Sequence, residues 1–317
     1  MHRYVKGTLL GLLAAVCYGF IPTFTVPVRS AGLPDPSILF YRFATAALLL
    51  GLVMLLLRKS FRVTRGELVS LLYVAFISDG SALFLLDGYN YMSTGVATTI
   101  HFMYPVVTAL IMIVFYHEAR KLSTLLAALM AAVGVGVLSW QPDGAHAGLR
   151  GVVIVLISAV CYALYIIRVN RSRLRGMDSL RLTFYVMALG ALIFAAEALR
   201  QNRLCPVPTA DAALNLFLLA LVCTVVTNLA VVGAVKRIGS TMTAVLGALE
   251  PLTAVALGCL LLGEPLTLNV LLGVLLIIPA VVIIIFTRGR RTSSEAAPAN
   301  GAPPAPSGEN APPSPRK

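Results

Sequence analysis

Charge is scarce in this chain: Asp, Glu, Lys and Arg make up 12% of its 317 residues, and only thirteen of them are acidic. A soluble domain carries roughly 25% charged and about 45–50% apolar residues, whereas 58% of this sequence is hydrophobic. So little charge cannot cover a water-facing surface, which excludes a soluble globular protein. Missing too are a Gly-rich phosphate loop with its Lys, a His-Glu-x-x-His helix and any polar stretch long enough for an ATP-binding domain, so no enzyme motif or cofactor site is indicated. Cys17, Cys161, Cys223 and Cys259 lie inside apolar runs and Cys205 in a loop without an evident partner, so the five cysteines do not form a disulfide framework. No second His or Cys stands at metal-ligand spacing from His101, which argues against a zinc site. The formal charge of +12 invites a nucleic-acid reading. The basic residues, however, fall in short clusters between apolar runs, where membrane topology puts them, and nucleic acid is set aside as a partner.

What the chain does have is one apolar run after another. A hydrocarbon core of about 30 Å is crossed by about 20 helical residues, and ten such spans can be drawn: 6–28, 37–57, 68–89, 94–116, 122–139, 148–167, 182–199, 212–235, 239–262 and 268–287. The first resembles a signal peptide, with Arg3 and Lys6 ahead of an apolar stretch, but its place in a repeat predicts that it is retained. From residue 292 the composition turns to Ala, Pro, Ser and Gly, so 288–317 is expected to be a basic, then Pro/Ala-rich, disordered cytoplasmic tail.

Lys and Arg in short loops favour the cytoplasmic side. One side of the drawn topology carries eighteen: Arg3, Lys6, Arg58, Lys59, Arg62, Arg65, Arg120, Lys121, Arg168, Arg171, Arg173, Arg175, Arg181, Lys236, Arg237, Arg288, Arg290 and Arg291. The other carries four, Arg29, Arg150, Arg200 and Arg203. Both termini are therefore expected in the cytoplasm. The excess of Arg over Lys and the abundance of Ala hint at a GC-rich bacterial gene, hence a bacterial cytoplasmic membrane.

An internal repeat sets the architecture. Ala-Val-Cys-Tyr at 15–18 recurs at 159–162, Gly7 matches Gly151, and Phe40-Tyr41 recurs as Phe184-Tyr185, all at an offset of 144. At an offset of 146, Pro105 matches Pro251, Glu118 matches Glu264 and Leu122 matches Leu268. Each unit holds five helices, an odd number, so the second enters the membrane from the opposite side. The fold class expected is an all-α polytopic membrane protein of ten transmembrane helices in two inverted five-helix repeats, 1–139 and 140–287.

Ten spans in two five-helix units, a Pro midway along the fourth helix of each and a Glu just beyond it (His117-Glu118 and Gly263-Glu264-Pro265), resemble the EamA family of the drug/metabolite transporter superfamily. The resemblance covers residues 6 to 287. It implies transport of small metabolites such as amino acids or related compounds, mostly by export. One departure stands out: Ala119-Arg120 in the first copy replaces Pro265-Leu266 of the second. Without an ATP site, energy would come from an ion or substrate gradient, with protons the natural candidate. Two rivals remain, an intramembrane enzyme using Asp79 and Glu250 as an acid/base pair and a receptor or scaffold that moves no cargo.

Ionisable residues inside spans are costly and mark functional candidates. Glu250 precedes Pro251, whose missing N–H frees the Gly247 carbonyl, and a carboxylate beside such a kink is a candidate proton or substrate-amine site, or a structural, paired group. Its repeat counterpart is Tyr104, beside the kink at Pro105. Asp79 lies in the polar island Ser78-Asp79-Gly80-Ser81 and fits either a binding role or an interhelical hydrogen bond. Arg42 and Asp87 both fall towards the outer end and are expected to meet as a gate or structural ion pair. His101 suits a proton relay or a packing role, and Asn228 a substrate contact or a helix-to-helix bond. The repeated Tyr18 and Tyr162 are candidate aromatic walls of the pathway or scaffold packing. Glu118 and Glu264 read as favourable charges at the start of the next helix, and Gly7-x-x-x-Gly11 as close helix packing.

Overall fold

The computed structural model describes residues 2–117, 122–139, 148–247 and 249–295. Among these residues there is no strand. The helices are α1 (His2–Gly19), α2 (Ile21–Ser30), α3 (Asp35–Leu56), α4 (Arg65–Gly88), α5 (Thr94–His101), α6 (Tyr104–Phe115), α7 (Leu122–Ser139), α8 (Leu149–Arg171), α9 (Ser179–Arg200), α10 (Ala210–Ala220), α11 (Thr227–Gly247), α12 (Leu249–Leu261) and α13 (Leu268–Glu295), with a π-helical stretch, Leu221–Val226, joining α10 to α11. Seven stretches of 21 to 27 residues are long and apolar enough to cross a bilayer, and the shorter apolar helices Leu126–Val137, Leu249–Leu261 and Leu268–Ile283 bring the total to ten. Leu48, Leu55, Phe76, Leu192 and Leu260 point outward and are largely exposed, as lipid-facing side chains must be. The chain is a polytopic, all-α membrane protein.

Reciprocal contacts display the inverted repeat. Tyr41, early in α3, donates its hydroxyl to the Cys205 carbonyl in the loop after α9. Tyr185, early in α9, donates to the Phe61 carbonyl in the loop after α3. Tyr185 and Cys205 are the partners of Tyr41 and Phe61 at the offset of 144, so one operation exchanges the two bonds. Each start reaching past the other's end makes α3 and α9 antiparallel, which is the inversion. Gly7 against Arg237 and Ile238, and Gly151 against Tyr91 and Met92, form a second exchanged pair.

Proline decides where spans break. Pro22 and Pro105 occupy the first turns of α2 and α6, where an absent N–H leaves no helical bond unmade, and Pro251 lies within the described helix Leu249–Leu261. The fourth span is therefore two half-helices parted at Phe102 and Met103. The ninth departs from expectation: instead of a loop at Lys236 and Arg237, helical structure continues through α11 to Gly247. The reversal still happens alongside α1, because Gly233 meets Leu10, Ile238 meets Gly7, Leu246 meets Gly11 and Thr253 meets Gly19. A turn that short leaves too few residues to stand out as a loop. At the far end α13 runs to Glu295, eight residues beyond the span drawn to 287, so the expected disordered tail cannot begin at 288; residues 296–317 lie outside the described residues. So do Glu118 and the turn that follows it.

Candidate functional site

A cavity of roughly 170 Å³ lies where the two halves meet. At about 30 Å³ per water it has the room of about six waters, below the ~300 Å³ at which drug-sized pockets begin. It is a place for a small molecule. Its wall draws on α1, α2, α3, α4, α5, α6, α8, α9, the π-helical stretch, α11 and α12, and it includes Glu250, Tyr104, His101, Asn228, Tyr18 and Tyr162. Six of the seven pathway candidates thus share one cavity, and the repeat partners Tyr18 and Tyr162 both face it.

Each wall residue arrives there by local chemistry. Tyr104 stands at a half-helix start beside the break before Pro105, and Glu250 directly precedes Pro251 in α12. His101 ends α5, and its Nδ1 lies 3.0 Å from Ser158 Oγ on α8. Ser158 donates to the Ser81 carbonyl at 2.7 Å and Ser81 to the Ser158 carbonyl at 3.0 Å, which ties α4 to α8. The network is satisfied when Nδ1 of His101 carries its hydrogen. Around it the rings interlock: Tyr104 and Tyr162 meet edge-on with centroids 4.6 Å apart, His101 stands 5.5 Å from Tyr162, and Tyr165 stacks on Tyr162 at 5.6 Å. Tyr165 is one helical turn from Tyr162, and that i,i+3 spacing was the available signal for a residue the sequence reading passed over. In the eighth span the π-helical stretch turns Cys223 and Thr224 into the cavity, as π-bulges often do at functional sites. Asn228 donates to the Thr224 carbonyl at 2.7 Å.

Asp79 is the seventh candidate, and it does not reach the cavity. On α4 the cavity takes Ser78, Ser81, Ala82 and Leu85, an i, i+3, i+4, i+7 face that turns Asp79 away. Its carboxylate packs against Gly190 of α9, is 2% exposed, and has no hydrogen-bond partner for either oxygen among the described residues. Asp79 is therefore absent from the cavity wall that holds Glu250.

The expected Arg42–Asp87 pair is also corrected. Arg42 is seven residues into α3, about 10 Å below its start at 1.5 Å per residue, whereas Asp87 is the penultimate residue of α4. The difference in depth keeps them apart. Arg42 lines the cavity, with Nε 3.3 Å from Thr224 Oγ1 and its guanidinium 5.9 Å from the Phe43 ring centre. Asp87 accepts from Asn90 at 3.0 Å. Asn90 in turn accepts from Arg29, whose Nε stands 2.8 Å from Asp35. The ion pair at this end of the bundle is Arg29–Asp35.

Glu264 plays an unforeseen part. Thr267, not Glu264, caps α13, accepting from the Val270 N–H at 3.3 Å. The Glu264 carboxylate crosses to the other half and caps α5, accepting from the Thr94 N–H and hydroxyl at 2.6 Å each and from the Gly95 N–H at 3.2 Å. Gly258 makes this possible, since a Cβ there would lie 2.5 Å from Glu264 Oε2, and Gly263 turns the chain at φ +69°.

Arg42 and Glu250 differ from all of these. Both line the cavity, and neither is in an ion pair among the described residues. No group of three or more His, Cys, Asp and Glu able to hold a metal occurs among the residues searched.

Residues 5–140 and 149–286 each match the EamA-like transporter family. Two curated proteins of Bacillus subtilis (strain 168) are similar. "Uncharacterized transporter YvbV" is 25% identical over 203 residues, 62% of this chain and 65% of that protein, so the chain matches just under two thirds of its length. "Uncharacterized transporter YcbK" is 25% identical over 294 residues, 86% of this chain and 90% of that protein. A solved structure described only as a crystal structure of a protein overlays with a TM-score of 0.63 at 16% identity, covering 90% of this chain and 99% of that one, a likeness of fold alone.

Proposed function

This chain belongs to the EamA-like transporter family and is a multi-pass membrane transporter, and from that premise we propose that it is a proton-coupled secondary exporter of small polar metabolites. The observation that carries the reading is the shared cavity: two inverted halves meet around it, matched tyrosines face it, and a carboxylate without an ion pair among the described residues, Glu250, stands on its wall beside Pro251. Inverted repeats allow one half to take up the conformation of the other, so that rocking opens the cavity first to one side and then to the other. A carboxylate without a fixed partner binds a proton on one side and releases it on the other, which couples that motion to a proton gradient. Tyr18, Tyr104 and Tyr162 supply walls with polar tips, His101 on the same cavity wall is the candidate relay, and Asn228 orients the cargo. Export is the direction implied by the family resemblance.

Both termini lie in the cytoplasm on this reading, supported by the eighteen-to-four division of basic residues, and the membrane is the bacterial cytoplasmic one. A reporter fused after residue 317, and another within 168–181, should register as cytoplasmic; external labelling at either place overturns the orientation. Function is tested by reconstituting the full chain into vesicles loaded with a metabolite mixture and imposing a pH gradient. Gradient-dependent movement of an unchanged metabolite is expected. Chemical conversion of cargo in detergent, with no movement in vesicles, would contradict transport.

A further inference from the structure

We propose that an anionic phospholipid docks on the outer face shared by α4 and α8, its phosphate held by Arg168 beside the ring of Tyr73. The two helices run side by side and antiparallel, since Gly88 meets Val155, Ser81 bonds to Ser158 and Tyr73 meets Arg168. On α4, Arg65, Val69, Leu72, Tyr73 and Phe76 are all exposed, at spacings of i, i+4, i+7, i+8 and i+11 that put them on one stripe. On α8, Ile157, Leu164 and Arg168 are exposed at i, i+7 and i+11, and the contact of Arg168 with Tyr73 joins the two stripes. The joint surface is apolar along most of its length and basic at one end. That end is where the loop after α3 is tied to the start of α9 by Lys59–Asp178. An acyl chain fits the apolar part and a headgroup phosphate the basic one.

The charge at that end lacks a partner of the protein's own. Arg168 is three residues short of the end of α8, about 4.5 Å at 1.5 Å per residue, the level at which a snorkelling cation and an interfacial tyrosine belong. Its guanidinium stands 5.2 Å from the centre of the Tyr73 ring. Neither Arg168 nor Arg65 is in an ion pair or a side-chain hydrogen bond among the described residues. The acids of the neighbouring segments are already engaged: Glu67 accepts the Thr64 N–H at 2.7 Å, and Asp178 holds Lys59 at 2.7 Å. The repeat asks for no charge here either, because the partner of Arg168 at the offset of 144 is Phe24, which packs in an apolar cluster. An exposed arginine on a lipid-facing surface, without an acid beside it, calls for an anion from the lipid. The guanidinium fork matches a phosphate, and basic residues at the ends of membrane helices recognise anionic headgroups.

The test is lipid binding by the purified full chain in a neutral detergent, read by native mass spectrometry and thermal shift. The probes are phosphatidylglycerol, phosphatidylcholine with the same acyl chains, and inorganic phosphate. Phosphatidylglycerol should be retained and should raise the midpoint, while the other two should do neither. Arg168→Gln should weaken phosphatidylglycerol binding roughly tenfold or more, and Tyr73→Leu by less. Both residues are exposed, so the lipid-free midpoint should stay at the wild-type value; if Arg168→Gln does not fold, Arg168→Lys and Tyr73→Leu carry the test. The control is Arg150→Gln, because Arg150 also stands over a ring, Tyr91 at 5.4 Å, but near the opposite end of α8; it should bind phosphatidylglycerol as the wild type does. Undiminished binding by Arg168→Gln overturns the proposal, and so does equal binding of phosphatidylcholine. An equal loss in Arg150→Gln would make the effect one of net charge, and stabilisation by inorganic phosphate alone would make the site one for free phosphate; either result also overturns it.

Discussion

Glu264 and Glu250 sit fourteen residues apart, on either side of the same helix, and their surroundings are opposite. Glu264 accepts two backbone N–H groups and a hydroxyl and joins the connection between α12 and α13 to the start of α5 in the other half. Glu250 faces an aromatic cavity with no fixed partner among the described residues. A carboxylate whose lone pairs are filled by the protein holds structure; one whose lone pairs face a cavity is available to a proton or a ligand. The same contrast separates the ion pair Arg29–Asp35 from Arg42.

The comparison can be broken by exchanging the behaviour of its members. Glu264→Ala should have the largest effect, about 3 kcal/mol or more of stability, since hydrogen bonds to a charged group are worth roughly 1.5–3 kcal/mol each and two N–H donors at the start of α5 lose their acceptor. Folded yield and thermal midpoint in detergent report it, and wild-type stability in this variant would show that the inter-half cap is not structural. Arg42→Ala should act the other way round, keeping the fold while reducing transport at least tenfold, because it removes a charge from the cavity wall. Asp87→Ala should be close to silent in both assays; a stability loss shared by Arg42→Ala and Asp87→Ala, and recovered when the two charges are swapped, would restore the pair that the depths of the two residues disfavour.

Tyr41→Phe and Tyr185→Phe sharpen the repeat itself. Each removes one neutral hydrogen bond, about 1 kcal/mol, and because the two bonds exchange under one operation the losses should match. Markedly unequal losses would mean that the two ends of the bundle carry different loads. The smallest effect on transport is expected from Asp79→Asn, which removes no hydrogen bond seen among the described residues and no part of the cavity wall. A folded Asp79→Asn protein that has lost pH-driven transport would move the proton site to α4.

Much of this was legible in the sequence because membrane helices and repeats write long, redundant signals. Ten apolar runs, the offsets of 144 and 146, and prolines at 105 and 251 each involve many residues or recur. Glu250, Tyr104, Tyr18 and Tyr162 were found because kinks and repeats mark the half-interface. What escaped depends on angles and depths that spacing along the chain does not state. Asp79 is one residue from Ser78, about 100° around the helix, and that rotation takes it from the cavity to α9. Arg42 was paired with the nearest acid at its end of the membrane, without the roughly 10 Å that separate them in depth. Glu264 was read as serving the helix that follows it in sequence, whereas the N–H groups it satisfies belong to a helix about 170 residues away.

The central claim is that Glu250 is the carboxylate through which protons drive the cargo, and Glu250→Gln tests it most directly because it keeps the shape and removes the titration. In vesicles with an imposed pH gradient, the variant should insert and fold normally, lose gradient-driven accumulation, and keep some exchange of cargo between the two sides. Accumulation by the Glu250→Gln protein equal to that of the wild type, with the same dependence on pH, would contradict the account.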